Sequence, residues 1–514
     1  MDQLFSHLSI GFGAVLGLES VSLFGLTANL PMNLVYCFIG VVIGTLIGVL
    51  PGLGPVATIA MLLPATYALP PLGGLIMLAG IYYGAQYGGS TTAILVNLPG
   101  ETSSVVTCLD GYQMARRGRA GVALSTAGIG SFFAGCVGTL LLAAFAVPLA
   151  AVALEFGPAE YFSLMVLGLV GAVVLASGSL LKAIAMICLG LLGGLVGTDI
   201  TSGVSRFAYD IPQLSDGIGF VSVAMGVFGF AEVIRNLEQK GEREVFTSKV
   251  TSMFPTKDDF RRMAAPILRG TLLGSVLGIL PGGGAALSAF GAYSLEKKVS
   301  PNRAEFGKGA IEGVAAPEAA NNAASQTSFI PLLTLGIPPN AVMALMVGAM
   351  MIHNIQPGPQ VMTSNPTLFW GLIVSMWVGN LMLVILNLPL IGIWIKLLKV
   401  PYRLLYPAIL VFCCIGVYSV NNSTFDVFMT AGFGVLGYVF LKLGCEGAPL
   451  LLGFVLGPMM EENFRRTLLL SQGEFSVFFT RPISLGLLCV TLLLVVVVAL
   501  PNIKSKREEA FQEE

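Results

Sequence analysis

Charge is what this sequence has least of. Only 11% of its 514 residues are Asp, Glu, Lys or Arg, against roughly 25% in a soluble globular domain. That is too little to coat the three aqueous domains its length would otherwise allow, and a soluble enzyme is excluded. The 27 basic and 28 acidic residues nearly cancel to a net charge of −1, so nothing favours nucleic acid as a partner or a strongly acidic domain. Histidine is scarce too: His7 and His353 are the only two, and a histidine-rich metal centre cannot be built from them. Eight cysteines are present, but Cys37, Cys108, Cys136, Cys188 and Cys489 are scattered through apolar stretches without a CxxC pair and read as small core residues. There is no GxxxxGK(S/T) loop and no HExxH, and the aspartates fall between the apolar segments. A P-loop ATPase is excluded, and intramembrane proteolysis has no motif to work with.

What abounds is apolar. Hydrophobic residues make up 55% of the chain, glycine contributes 63 residues, and mean hydropathy is +0.84. These values predict an all-α polytopic membrane protein of about 10–12 membrane segments. Apolar runs near residues 72–98, 120–150, 157–178, 180–198, 217–235, 310–335, 367–395, 402–420, 424–443 and 481–500 read as long enough to cross about 30 Å of hydrocarbon. Arg116, Arg117 and Arg119 mark one cytoplasmic loop, and the stretch from Arg235 to Arg269 marks another. Between them the connection 199–216 carries Asp199, Asp210 and Asp216 against Arg206, as an external loop should. One feature opposes this topology: if residues 446–460 cross outward, Arg465 and Arg466 fall outside, so a dipping segment is the alternative and the side of the C-terminus stays open.

The organisation expected is an N-terminal amphipathic or partly buried helix over 1–29, without the basic start of a signal peptide; a first membrane repeat over 30–235; a cytoplasmic linker over 236–265; a second repeat over 266–500; and a solvated tail over 501–514. The repeat is visible directly. Residues 40–60, GVVIGTLIGVLPGLGPVATIA, align without a gap on 270–290, GTLLGSVLGILPGGGAALSAF. Gly40, Gly44, Gly48, Pro51, Gly52 and Gly54 fall on Gly270, Gly274, Gly278, Pro281, Gly282 and Gly284. Glycines four apart share a helix face and permit close helix contact. The Pro-Gly-x-Gly that follows stops a helix within an apolar stretch, leaving peptide groups that lipid cannot satisfy. From Gly270 to Leu280 the arm is only about 16 Å long, with Arg269 before the tip and Lys297 and Lys298 after it, which describes a re-entrant hairpin entered from the cytoplasm. Its counterpart over 32–69 should open to the other side. Two inverted repeats, each with a Pro-Gly-x-Gly hairpin and a broken helix, are therefore expected; a parallel duplication is the alternative.

Each hairpin is followed by a segment broken by a polar patch. The first carries Gln86, Ser90, Thr91, Thr92 and Asn97; the second carries Glu318, Asn321, Asn322, Ser325, Gln326, Thr327 and Thr334. Hydroxyls in membrane helices often bond only their own backbone, but asparagines and Ser-x-Thr clusters in matching places point to a site. Permanent positive charge is nearly absent from the apolar segments, so an anionic substrate would rely on helix N-termini at the tips, around Pro51, Gly52, Gly54, Pro281, Gly282, Gly283 and Gly284, aided by Ser, Thr and Asn donors. Exposed carbonyls and side-chain oxygens suit Na⁺. Asn322, Gln326, Glu318 and Thr334 are the coupling-ion candidates, with proton exchange at Glu318 as the alternative. No transition-metal site and no cofactor are expected. A channel or a membrane scaffold are the competing readings; polarity concentrated at two breaks rather than along a pore favours alternating access.

The most specific stretches are GTLIGVLPGLGPVATIAMLLP at 44–64, YGAQYGGSTTAILVNLPGE at 83–101, GSVLGILPGGGA at 274–285 and PEAANNAASQTSFIPLLTLGIP at 317–338. In these the chain resembles the large membrane subunit of the tripartite tricarboxylate transporters, the TctA family. The resemblance implies a permease of the bacterial inner (cytoplasmic) membrane that takes up carboxylates such as citrate, usually with Na⁺. It also implies a small four-helix membrane subunit and a periplasmic solute-binding protein as partners.

Overall fold

In the computed structural model the described residues are 2–23, 26–50, 54–153, 155–175, 179–199, 202–238, 253–280, 284–397 and 402–499. The chain opens with α1 (Asp2–Leu16) and a hairpin of β1 (Glu19–Leu23) and β2 (Leu26–Leu30). Apart from a short antiparallel pairing of Gly197–Thr198 with Ser205–Arg206, the remaining regular elements are helical: α2 (Met32–Val49), α3 (Pro55–Thr66), α4 (Pro71–Val96), α5 (Ala120–Ala153), α6 (Pro158–Leu175), α7 (Leu180–Gly194) and α8 (Ala231–Glu238) are the main ones of the first part. The second part contains α9 (Lys257–Ile279), α10 (Gly284–Val299), α11 (Glu312–Thr327), α12 (Phe329–Leu335), α13 (Ala341–Ile352), α14 (Pro366–Asn387), α15 (Tyr402–Asn421), α16 (Thr424–Lys442), α17 (Gly447–Leu470) and α18 (Pro482–Ala499).

Among the described residues four helices are by themselves long and apolar enough to cross a membrane, at Met32–Val49, Ala115–Leu149, Pro366–Asn387 and Thr424–Lys442. That is fewer than the ten runs read from the sequence. Several of the others are apolar but short, including those at Pro158–Val173, Leu180–Gly194 and Pro482–Val496. Helix α11 carries Glu, Asn and Gln side chains, which lower its hydropathy. Such helices rely on neighbours rather than on lipid.

The repeated glycines explain how the centre is assembled. A Cβ on Gly40, Gly44 or Gly48 would run into the backbone of Met77, Ile81 or Ala85 of α4, and one on Gly270, Gly274 or Gly278 into Ala316, Ala320 or Ala324 of α11. The same four-residue ladder, rising in step on both members, lays α2 parallel to α4 and α9 parallel to α11, with backbones in direct contact. Helix α5 follows α11, with Gly130 beside Ala315 and Gly138 beside Ala323 and Gln326. Helix α14 follows α4, with Gly371 beside Leu72 and Gly379 beside Tyr83. Asn380 and Trp377 of α14 donate to the carbonyls of Phe132 and Cys136 in α5, at 3.1 and 3.2 Å. The main core includes Tyr83 of α4, Phe329 of α12 and Phe369 and Trp370 of α14, all fully buried. Helix α1 closes over α14: the His7 ring stacks on Trp370 with centroids 4.9 Å apart.

Ion pairs tie helix ends together and reveal which ends share a side. Near Arg116–Arg119, Arg119 pairs with Asp259 at 2.5 Å, Arg262 with Glu312 at 2.9 Å and Arg269 with Glu296 at 2.7 Å. Glu238 at the end of α8 pairs with Lys442 at the end of α16, 2.6 Å away. At the other side, around the acidic connection 199–216, Arg465 pairs with Asp199 at 3.1 Å, Arg206 with Glu461 at 2.8 Å, and Arg481 with Glu160 at 2.6 Å. Two sequence-based expectations change accordingly. The segment 446–460 does not dip and return, because α17 continues unbroken to Leu470. Arg465 therefore stands beside the acidic connection, where it pairs with Asp199 and Glu461, and Arg466 has Glu462; the positive-inside rule is a bias in the distribution of Lys and Arg rather than a constraint on each loop. The arm before the second Pro-Gly tip is also longer than the eleven residues from Gly270. It starts at Lys257, where Thr256 and Asp259 form a reciprocal capping box, although Lys257, Asp258, Asp259, Arg261 and Arg262 keep its first turns polar.

Two expected outcomes follow. Gly274→Ala pushes a methyl group into the Ala320 backbone and should destabilise by about 1–3 kcal/mol, whereas Gly432→Ala, with nothing within 4 Å of the added Cβ, should be neutral or stabilising; thermal melting of the two detergent-purified variants compares them. In a cysteine-free background, Gly203→Cys and Gln472→Cys should react with an impermeant thiol reagent from one face of sealed vesicles and Arg117→Cys from the other. Labelling of all three from one face would overturn the sidedness derived from the ion pairs.

Candidate functional site

Helices α4 and α11 meet through their polar patches. Ser90 bonds Glu318, and Tyr82 neighbours Ser325, so residue numbers fall along one helix as they rise along the other and the two run antiparallel. Every residue of α11 is buried. Its alanines let α9 and α5 approach its backbone, which leaves its polar side chains buried among helices rather than facing lipid.

The cluster centres on Glu318, 1% exposed. Its carboxylate accepts hydrogen bonds from Ser90 at 2.6 Å, from Thr107 and, at 3.5 Å, from Ser131. Asn322 donates from Nδ2 to Ser131 Oγ at 2.7 Å. Asn321 donates to a second carboxylate, Glu101, at 3.3 Å, and the Ser103 hydroxyl stands between Glu101 and Gln86. Gly89 makes room for Glu101, since an added Cβ there would lie 3.0 Å from its Cγ. Tyr87 donates to Asn380 Oδ1 at 2.8 Å, linking α4 to α14.

Among the described residues neither Glu318 nor Glu101 takes part in an ion pair. A buried carboxylate without a cation is costly. Polar atoms beside it are also unmatched: Asn321 Oδ1, Asn322 Oδ1, both side-chain atoms of Gln326 and Asn387 Oδ1 have no hydrogen-bond partner. Each such atom costs about 1–3 kcal/mol when left unpaired; Asn321, Asn322 and Gln326 lie on α11 and Asn387 on α14, and buried polar atoms left without partners call for an explanation beyond packing. Between α4, α5 and α14 lies a cavity of about 10 Å³ lined by Tyr87, Ser90, Thr91, Ser131 and Asn387, roomy enough for about one water-sized occupant.

Pro51, Gly52, Pro281, Gly282 and Gly283 lie outside the described residues. Of the helix ends next to them, α2 stops at Val49 and α9 at Ile279, Gly54 precedes α3, and Gly284 starts α10 with φ +50°. The Thr92 hydroxyl donates to Val49 O at 2.8 Å, and the Ser328 hydroxyl reaches Gly278 O at 3.1 Å, so a side chain from the partner helix satisfies a carbonyl at the end of each arm. Of the remaining sequence-predicted residues, Thr91 donates to Tyr87 O and faces the cavity, while Ser325, Thr327 and Thr334 donate to their own helix at Asn321 O, Ala323 O and Ile330 O. Asn97 is exposed, ending α4 in a left-handed conformation with φ 58°. The structure thus gathers Ser90, Thr91, Glu318, Asn321 and Asn322, and leaves Asn97 apart. Sequence reasoning missed Glu101, Thr107, Ser131, Asn380 and Asn387. Glu101 closes the first polar patch and was within reach, whereas the others are single polar residues whose partners lie far along the chain.

Comparison with known proteins agrees with the membrane architecture. The family described as "Tripartite tricarboxylate transporter TctA family" matches residues 34–452. An "Uncharacterized 52.8 kDa protein in TAR-I ttuC' 3'region" of Agrobacterium vitis is 59% identical over 514 residues, the whole of both chains. An "Uncharacterized protein in TAR-II ttuC' 3'region" of the same organism is 61% identical over 241 residues, covering 47% of this chain and all of that one. No solved structure matches. With the matched region spanning both glycine ladders and the buried polar cluster, the chain belongs to the TctA family, the large membrane subunits of tripartite tricarboxylate transporters, and is a multi-pass transporter component rather than a member of an enzyme family.

Proposed function

We propose that the protein is the permease subunit of a binding-protein-dependent secondary transporter that imports carboxylates of the citrate type by Na⁺-coupled alternating access across a bacterial inner membrane. The observation that carries this reading is the buried polar cluster between α4 and α11, where among the described residues Glu318 has no ion pair and Asn321 Oδ1, Asn322 Oδ1 and both polar side-chain atoms of Gln326 have no hydrogen-bond partner. A scaffold has no use for such groups, and a pore would line them with continuous water.

Two inverted repeats are part of the proposal. What supports them is reciprocity: α2 lies along α4 as α9 lies along α11, α5 follows α11 while α14 follows α4, and α4 opposes α11 in direction. Each arm would join the next helix through its Pro-Gly-x-Gly tip as a hairpin, and the two hairpins would open to opposite sides. The carried acid would be held near the N-termini of α3 and α10 with hydroxyl and amide donors from the two patches, and Na⁺ by oxygens of α11. The cavity of about 10 Å³ is too small for a carboxylate of several non-hydrogen atoms, so the acid enters only when α4 and α11 part, in a movement of elevator type. A small four-helix membrane subunit and a periplasmic solute-binding protein complete the system. Coupling to protons through Glu318 is the second reading, favoured by the burial of that carboxyl.

Proteoliposomes test this. Labelled citrate and other carboxylates should accumulate, with saturation, when a Na⁺ gradient is imposed and the cognate binding protein is supplied, and Ser90→Ala and Asn322→Ala should lower the initial rate at least about tenfold, corresponding to the loss of about 1.4 kcal/mol of stabilisation. Full uptake by both variants would refute the site, and a non-saturating flux indifferent to Na⁺ and pH would refute the transporter.

A further inference from the structure

Three hydroxyls from three segments, Ser90, Thr107 and Ser131, reach the Glu318 carboxylate, and the way the oxygens around it are disposed separates two tasks that the proposed function leaves merged. On the side of Glu318 facing α5, Ser90 and Ser131 both reach the carboxylate, and both also line the small cavity. Across that cavity stands Asn387, 5% exposed. Its Nδ2 donates to Leu383 O at 2.9 Å and lies 3.4 Å from Thr45 Oγ1, while its Oδ1 has no partner. Asn322 repeats this pattern from the other side: its Nδ2 is engaged by Ser131 Oγ and Glu318 O, and its Oδ1 is unpaired and fully buried. Two amides thus have their donors tied back by the protein and their acceptors left open: Asn387 lines the space of about 10 Å³, and Asn322 and the Glu318 carboxyl are joined to that space through Ser131 and Ser90.

We infer that Glu318, Asn322, Asn387, Ser90 and Ser131 form a site for a Na⁺-sized monovalent cation, and that the carried acid is excluded from it. The ligand type follows from the inventory of atoms. Carboxylate, amide and hydroxyl oxygens are hard donors suited to alkali and alkaline-earth ions rather than to softer metals. A proton on Glu318 would neutralise the carboxyl but could not serve the two open amide oxygens as well, whereas one small cation can be shared among all of them. A hydroxyl that donates its hydrogen to Glu318 keeps lone pairs for the ion. An organic acid fails on charge and on volume: it would face Glu318 and open acceptors without a donor surplus. The inference rests on the Na⁺-coupled reading; it moves Ser90 from the acid to the ion and keeps Asn322 for the ion alone, while Asn387 and Ser131 join the ion site and Thr334, bonded to its own helix, leaves it.

The test uses the full-length purified protein with no carboxylate present. Thermal melting is followed while NaCl is titrated against choline chloride at constant ionic strength, with KCl as a second arm. Wild type should show a saturable rise in melting temperature with Na⁺ that K⁺ and choline do not give. Glu318→Gln should abolish the rise, and Asn387→Ala should raise the half-saturating Na⁺ about tenfold or more, the usual loss when a group that supports an ion is removed. If either variant fails to elute as a monodisperse species, Ser131→Ala replaces it, with the same expected displacement. The inference is overturned if wild type melts alike in Na⁺, K⁺ and choline, or if the folded variants retain the wild-type Na⁺ dependence. Uptake of labelled citrate by wild type separates this from the transport reading. Uptake without a Na⁺ requirement would remove the ion site and keep the transporter, whereas a Na⁺-specific melt lost in Glu318→Gln, with no carboxylate carried, would keep the ion site and remove the transport reading.

Discussion

Backbone-to-backbone contact between glycine-faced helices is the constraint from which the rest of the structure follows. In lipid there is little hydrophobic gain from pressing two apolar helices together, so close approach and dispersion must supply the association. Gly40, Gly44 and Gly48 give α2 that approach to α4, and Gly270, Gly274 and Gly278 give it to α9 against α11. The consequence is that α11, with more polar side chains than a lipid-facing helix tolerates, is enclosed on all sides. Its small residues, Ala316, Ala320 and Ala324, receive the glycine face, and the residues between them, Glu318, Asn321 and Asn322, are free to point at α4 and α5. Packing and chemistry occupy different faces of one helix, as the period of 3.6 residues allows.

The two kinds of seam differ in what holds them. Within each pair, contact is steric and has one good register, since a shift would put side chains where only glycine fits. Between α4 and α11, contact runs through hydroxyls, carboxylates and amides: Ser90 to Glu318, Asn321 to Glu101. Hydrogen bonds of that kind can be exchanged for bonds to water, ions or a carried acid at small net change in free energy. A molecule built this way has stiff pairs and a polar seam along which they can separate, which is what alternating access asks of it. The ion pairs at the two sides, Arg465 with Asp199 and Arg269 with Glu296, lie away from that seam and tie helix ends elsewhere.

Much of this could be read in the sequence, and the limits have physical causes. Apolar runs located the helices because hydropathy and length are local properties. The offset of the two glycine motifs announced matching helix pairs, and the parity of the charged loops agreed with the ion pairs found at each side. Arg465 and Arg466 misled because the positive-inside rule is a bias over many loops rather than a constraint on each, and Asp199, a partner of Arg465, is far away in sequence. The site was half legible. Glu318, Asn321 and Asn322 stand out in an apolar setting, but Ser131, Thr107 and Asn387 look like ordinary scattered polar residues until the fold brings α5 and α14 against α4 and α11.

The same distinction explains why clustered hydroxyls are a weaker signal than clustered amides. Thr92 was conspicuous in its Ser-Thr-Thr run, yet its hydroxyl donates to Val49 O, where α2 runs out of backbone partners; Ser325, Thr327 and Thr334 turn back to their own helix. A hydroxyl within a helix always has the carbonyl one turn earlier within reach, so its presence says little about what else is bound. An asparagine or glutamine amide has two donors and an acceptor that its own turn cannot satisfy together. When such groups are buried, something outside the helix must complete them, and Asn321, Asn322, Gln326 and Asn387 are the places where the protein by itself does not.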